Sequence, residues 1–165
     1  MVTHWDSRCI WSAVVVNLAI ASLLREPPDD ALRLVERAER ARETLGDALA
    51  PFGINAPIPK AVTKALDVAD VTAPEDIGLD GWDMGYTLKA MRVALWCVHR
   101  AADFEEALTA VVNAGGDTDT NGAVAGAVLG ARFGFDAIPR RWRDQVTRLR
   151  ADRVATEVWA DRLMA

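Results

Sequence analysis

The run "GGDTDTNG" at residues 115–122 concentrates oxygen donors more densely than any other part of the sequence. Asp117, Asp119 and Thr120 place two carboxylates and a hydroxyl within four residues, a hard donor set that suits Mg²⁺, Mn²⁺ or Ca²⁺ and not Zn²⁺ or Cu⁺. Gly115 and Gly116, just before them, permit a tight turn and let a ligand come close to the backbone.

Asp117, Asp119, Asn121 and Gly122 also reproduce the opening of a calcium-binding EF-hand loop. Such a loop needs a bidentate Glu at its twelfth position, which here is Val128, and everything from Ala123 to Ala131 is apolar. The EF-hand is therefore excluded. Two readings of the acidic pair stay open. In one, Asp119 or Thr120 caps the helix that follows and Asp117 stabilises the turn. In the other the pair holds a divalent cation, because capping needs only one carboxylate.

These residues sit in a pattern of helices. Residues 9–24, "CIWSAVVVNLAIASLL", are apolar nearly all round and predict a helix through a core. At 16 residues, with Ser12, Asn17 and Ser22 inside, the run is short for a membrane span, and a leader containing Asp6 fits a signal peptide poorly. "REPPDD" (25–30) ends it, with Asp29 or Asp30 capping an amphipathic helix over 31–50. "PFGINAPIP" (51–59) breaks that helix, a short one follows over 60–69, and 70–84 read as loop.

Further helices are predicted over 86–101, after a D-x-x-E cap at Asp103–Glu106, and from Asn121 to Gly134. Gly126 and Gly130, four apart, predict the close approach of another helix. Two more helices close the chain, after Pro139 and from about Asp152. The fold class is all-α, a multi-helix globule in a single domain over 1–165.

Composition limits the functions. A net charge of −5, with no basic cluster larger than "RRWR" at 140–143, argues against nucleic acid. Cys9 and Cys97 match no metal or redox spacing and read as buried reduced thiols of a cytoplasmic protein. His99 reads as structural, and Trp96 and Trp142 as packing residues.

"GGDTDTNGAVAGAVLGARFG" followed by "IPRRW" resembles the C-terminal signature of the ADP-ribosylglycohydrolase family. "GYTLKAMRVALW", "DFEEALTAVVNAGGD" and "THWDSRC" (3–9) resemble the segments leading to it. The resemblance implies an all-α fold with a pair of Mg²⁺ or Mn²⁺ ions in a cleft. It also implies hydrolysis of the bond between ADP-ribose and an acceptor, with ADP-ribose or an ADP-ribosylated substrate as partner and no membrane. In such a family Asp117, Asp119 and Thr120 become metal ligands. His4 then lies beside the substrate, with Asp6 and Tyr86 lining the same region and Gly115 and Gly116 in close approach.

The resemblance covers about the second half of a typical member. The family's T-D-D metal motif belongs to the other half, and the nearest acidic pair here, in "PPDD" (27–30), reads as a helix cap. The expectations that follow are weak metal affinity and little turnover from this chain alone. A homo-oligomer or a complementing chain would then cover the apolar helices at 9–24 and 121–134. The alternative is a non-catalytic protein that binds ADP-ribose or a partner.

Overall fold

The computed structural model describes residues 6–25 and 58–151, with side chains described as far as Val146. The helix expected over 31–50, its cap at Asp29 or Asp30, the helix from Asp152 and His4 lie outside the described residues. Within them the chain is helical and has no strand. The six α-helices are α1 (Ser7–Arg25), α2 (Lys60–Leu66), α3 (Thr87–Arg100), α4 (Phe104–Asn113), α5 (Thr118–Phe133) and α6 (Arg140–Ala151).

Helix α1 begins earlier than its apolar run because Asp6 caps it. The Asp6 Oδ1 accepts the Arg8 N–H at 2.8 Å, and its carbonyl accepts from Ile10 N. The result is a 19-residue helix, long and apolar enough by length and composition to cross a bilayer. Here it packs against α3 and α5. It buries one face, Trp11, Ser12, Val15, Ala19 and Ser22. Ala13, Asn17 and Leu24 are exposed, so among the described residues α1 lies along the core and does not run through it.

Opposite that face, α3 contributes Met91, Ala94, Leu95 and Val98, and α5 contributes Ala125, Val128 and Leu129. Helix α4 closes the far side with Phe104, Ala107 and Val111. Its start is as predicted, since Asp103 Oδ1 accepts the Glu106 N–H at 2.9 Å. The C-terminal carbonyls of α3 are met from α5, where the Arg132 guanidinium donates to Cys97 O at 2.7 Å and also to Val98 O. Helix α6 is tied to α4 by the Arg141–Glu105 ion pair and by Trp142 tilted against Phe104 at 6.4 Å. Trp96 donates its indole N–H to Thr72 O, so both singled-out tryptophans pack as expected.

Two local expectations change. The 70–84 loop contains a 3₁₀ turn, Pro74–Ile77, pinned by Asp76, whose carboxylate accepts from Thr72 N, Thr72 Oγ1 and Ala73 N. Gly126 and Gly130 are not a close-approach surface among the described residues: a Cβ at either would meet nothing within 4 Å. The reason is rotational. The buried face of α5 is Asn121, Ala125, Val128 and Leu129, and the glycines lie on the neighbouring stripe.

Candidate functional site

The double glycine is demanded by backbone geometry. Gly115 and Gly116 have φ of 84° and 69°, in the left-handed region that favours glycine. A Cβ on Gly116 would stand 2.3 Å from Leu79 O, and one on Gly115 would stand 2.6 Å from Asp80 Oδ1. The turn therefore lies directly on the 79–80 segment, and Gly116 N donates to Asp80 Oδ1 at 2.7 Å. Lys89, on α3, holds the same loop by donating to Asp83 Oδ1 at 2.8 Å and to Asp80 O at 3.3 Å. The Lys89 ammonium keeps the Asp83 carboxyl below its ordinary range.

From this turn α5 springs with Asp117 as its first flanking residue, and no side chain caps it. Asp117, Thr120, Asn121 and Val124, spaced as one helical face, line a cleft of about 370 Å³. The opposite walls come from α1, through Cys9, Ser12, Ala13, Val16 and Asn17, and from the 84–91 stretch that opens α3. The volume falls within the range of small-molecule sites. Ser12 Oγ and Thr87 Oγ1 share a hydrogen bond of 2.5 Å that joins α1 to α3 across it.

Of the residues singled out from the sequence, Asp117, Thr120 and Tyr86 come together around this one cleft. Asp119 is exposed beside it and accepts the Thr120 N–H at 3.0 Å. Its carboxyl is held below the usual aspartate range, first by hydrogen bonding with the Asp117 side chain and then by the Thr120 backbone N–H. Asp6 reaches the site through Arg8, whose guanidinium grips the Asp6 carboxylate and lies 5.7 Å from the centre of the Tyr86 ring. The Arg8 pKa is pushed further up, first by Asp6 and next by Tyr86. Gly115 and Gly116 face Leu79 and Asp80 and are not part of the cleft wall.

The donor chemistry fits a hard divalent cation. The Asp117 and Asp119 carboxylates, with the hydroxyl-bearing Thr120 next to them, form no ion pair with a Lys or Arg among the described residues. That excess negative charge is what a cation would offset. The set would give three oxygen ligands, and Mg²⁺ commonly completes its shell with water and ligand oxygens. Among the described residues no third carboxylate, His or Cys converges with the pair, so any further ligand oxygens would come from elsewhere than such side chains.

Four contributors, Asp80, Ser12, Thr87 and Asn121, escaped the sequence reading. Asp80 lies 36 residues before the glycine it holds, and Ser12 is 75 residues from Thr87, so no local pattern joins them. Asn121 could have been found: it stands four residues after Asp117, on the same face of a helix. The other singled-out groups fall elsewhere. His99 lines a second cavity with Leu66, Asp67, Val68, Ala69 and Arg100, and burial lowers its pKa. Cys97 is fully buried, whereas Cys9 is only half-buried and faces the cleft.

The ADP-ribosylglycohydrolase family profile matches residues 1–165. A protein of Archaeoglobus fulgidus, itself without an assigned function, is 32% identical over 144 residues, which is 86% of this chain and 42% of that one. ADP-ribosylhydrolase ARH3 of Danio rerio is 28% identical over 149 residues, covering 79% of this chain and 40% of its own. The ADP-ribosyl-[dinitrogen reductase] glycohydrolase of Rhodospirillum rubrum is 39% identical over 62 residues, 38% of this chain and 21% of its own. The chain thus spans less than half the length of these relatives. No solved structure matches it.

Proposed function

Because the chain belongs to the ADP-ribosylglycohydrolase family, we propose that its cleft holds an ADP-ribosyl group and serves hydrolysis of the bond joining that group to an acceptor. One observation carries the reading: Asp117 and Thr120 of the D-x-D-T run share a single cleft with Tyr86. In this reading Asp117, Asp119 and Thr120 hold Mg²⁺ or Mn²⁺. Such an ion, when bound, polarises oxygens and lowers the pKa of water.

The chain's own residues do the positioning. Gly85 brings the α3 entry within contact of Asp117, since a Cβ there would lie 3.8 Å from its Oδ2, and so narrows the cleft at the carboxylate. The Ser12–Thr87 pair fixes the distance between the walls. Val16, Met91 and Val124 supply apolar surface for the carbon skeleton of a sugar, and Tyr86, steadied by Arg8, offers a ring face. Excluding water from that wall would strengthen polar contacts at the α5 end.

A second reading is favoured by one feature. Asp117 is the only carboxylate lining the cleft among the described residues, so a separate general acid is not at hand there. The cleft would then bind ADP-ribose without cleaving anything. One experiment separates the two. The chain is incubated with peptides ADP-ribosylated on arginine or on serine, in Mg²⁺, in Mn²⁺ and in EDTA, and released ADP-ribose is measured by mass spectrometry beside calorimetric binding of free ADP-ribose. Metal-dependent release supports the hydrolase. Binding without release supports the second reading, and neither release nor binding overturns both.

A further inference from the structure

We propose that Asn121 is a ligand-binding residue, its side-chain amide donating a hydrogen bond to an acceptor oxygen of the ADP-ribosyl group in the cleft. The inference rests on the proposed function above and adds to it a specific contact outside the D-x-D-T run.

Asn121 is 1% exposed, and its Nδ2 finds no acceptor among the described residues. A buried amide left without a partner opposes folding, and natural structures rarely keep one without a use. Packing alone does not call for it. The rest of the buried α5 face is Ala125, Val128 and Leu129, and asparagine is a poorer helix former than leucine. Asn17 folds its amide back to the helix carbonyl four residues earlier, whereas Asn121 Nδ2 makes no such bond to Asp117 O, which accepts only the backbone N–H of Asn121 at 2.9 Å.

Three other polar side chains around the cleft, Ser12, Thr87 and Asn17, already have partners, and the Thr120 hydroxyl is assigned above to the cation. Ser12 bonds to Cys9 O and to Thr87, which engages that hydroxyl in turn. Asn17 folds back to Ala13 O at 2.8 Å, and the Arg8 guanidinium lies over the Tyr86 ring, 5.7 Å from its centroid. Asn121 is thus a donor still available on the face that also carries Asp117 and Thr120. Carboxylates can only accept hydrogen bonds, so a ligand dense in hydroxyl and phosphate oxygens needs a donor beside them. The amide meets that need from within the cleft wall. A donor left unmet among the described residues is what a site that sacrifices stability for affinity would show.

The test is Asn121→Leu, which keeps bulk and deletes the donor. ADP-ribose binding is followed by titration calorimetry in MgCl₂, Mn²⁺ binding is followed without ADP-ribose, and the ligand-free melting temperature is compared. The expected result is a Tm at or above wild type, unchanged Mn²⁺ binding, and ADP-ribose affinity lower by at least about tenfold. Wild-type affinity in Asn121→Leu overturns the inference and leaves the proposed function standing. A lowered ligand-free Tm overturns it too, by assigning the amide to the fold. Should leucine prevent folding, Asn121→Ser decides in its place, and undiminished ADP-ribose binding by the folded serine variant overturns the inference. If the wild-type chain itself takes up no ADP-ribose, the proposed function fails first, before any variant is made.

Discussion

Asp80 Oδ1 accepts the backbone N–H of Gly116 at 2.7 Å, and this bond lays the 79–83 loop on the turn that presents Asp117. The acceptor is ionised and the donor is backbone, so the bond is charge-assisted. Its exposure to solvent reduces its worth. Asp80→Ala is expected to cost about 1 kcal/mol in urea unfolding, and to weaken Mn²⁺ binding because the turn loses its anchor. Equal Mn²⁺ affinity in the variant would show that the loop does not position the carboxylates.

Two glycines of the same region should respond oppositely to alanine. Gly116→Ala combines a left-handed φ with a Cβ 2.3 Å from Leu79 O, and is expected to destabilise by about 3 kcal/mol or more. Gly126→Ala meets nothing within 4 Å inside a helix, and is expected to stabilise by about 0.5–1 kcal/mol. Chemical denaturation midpoints of the two variants check both signs together. A neutral Gly116→Ala would mean that the turn can leave Leu79.

The helices were legible because their signals are local. Asp103 capping Glu106 N and the apolar faces of α3 and α4 follow from spacing within a few residues. The D-x-D-T run was legible as a candidate for the same reason. What stayed hidden is pairing across the chain: the Asp80 anchor, the Ser12–Thr87 bridge, and the choice of which α5 stripe turns inward. Gly126 and Gly130 illustrate the last point. Their spacing is that of a contact stripe, yet Ala125, Val128 and Leu129 beside them carry more apolar surface and take the core.

Cation binding should be visible as stability. A ligand that binds only the folded chain adds about 2.7 kcal/mol when present at a hundred times its Kd. Thermal melts of the wild type are expected to rise with added MnCl₂ and to fall back with EDTA. Asp117→Asn should abolish the rise, with Asp119→Asn weakening it. A wild-type melt that ignores Mn²⁺ over the whole titration would remove the metal from the site.

Acid should act on the 3₁₀ turn through Asp76. Its carboxyl lies below the ordinary range, first because of the Thr72 hydroxyl and then because of the Ala73 and Thr72 backbone N–H groups. A depressed folded pKa means that this contribution is complete above the unfolded value of about 3.9 and disappears as pH falls through the lower folded value. Asp76→Asn should therefore melt lower than wild type at neutral pH, and the gap should close towards pH 2. A gap independent of pH would point to lost packing in place of lost ionisation.

The two thiols should report occupancy of the cleft. Cys97 is fully buried, and burial pushes its thiol up to about 12, so it is protonated and shielded at neutral pH. Cys9 is half-buried in the cleft wall. Ellman's reagent should therefore label one thiol per native chain and two after denaturation, with Cys9→Ser abolishing the native reaction. Saturating ADP-ribose in MgCl₂ should slow the labelling of Cys9 at least severalfold and leave the denatured count at two. If ADP-ribose binds by calorimetry while Cys9 reacts at its free rate, the ligand sits somewhere other than between α1, α3 and α5.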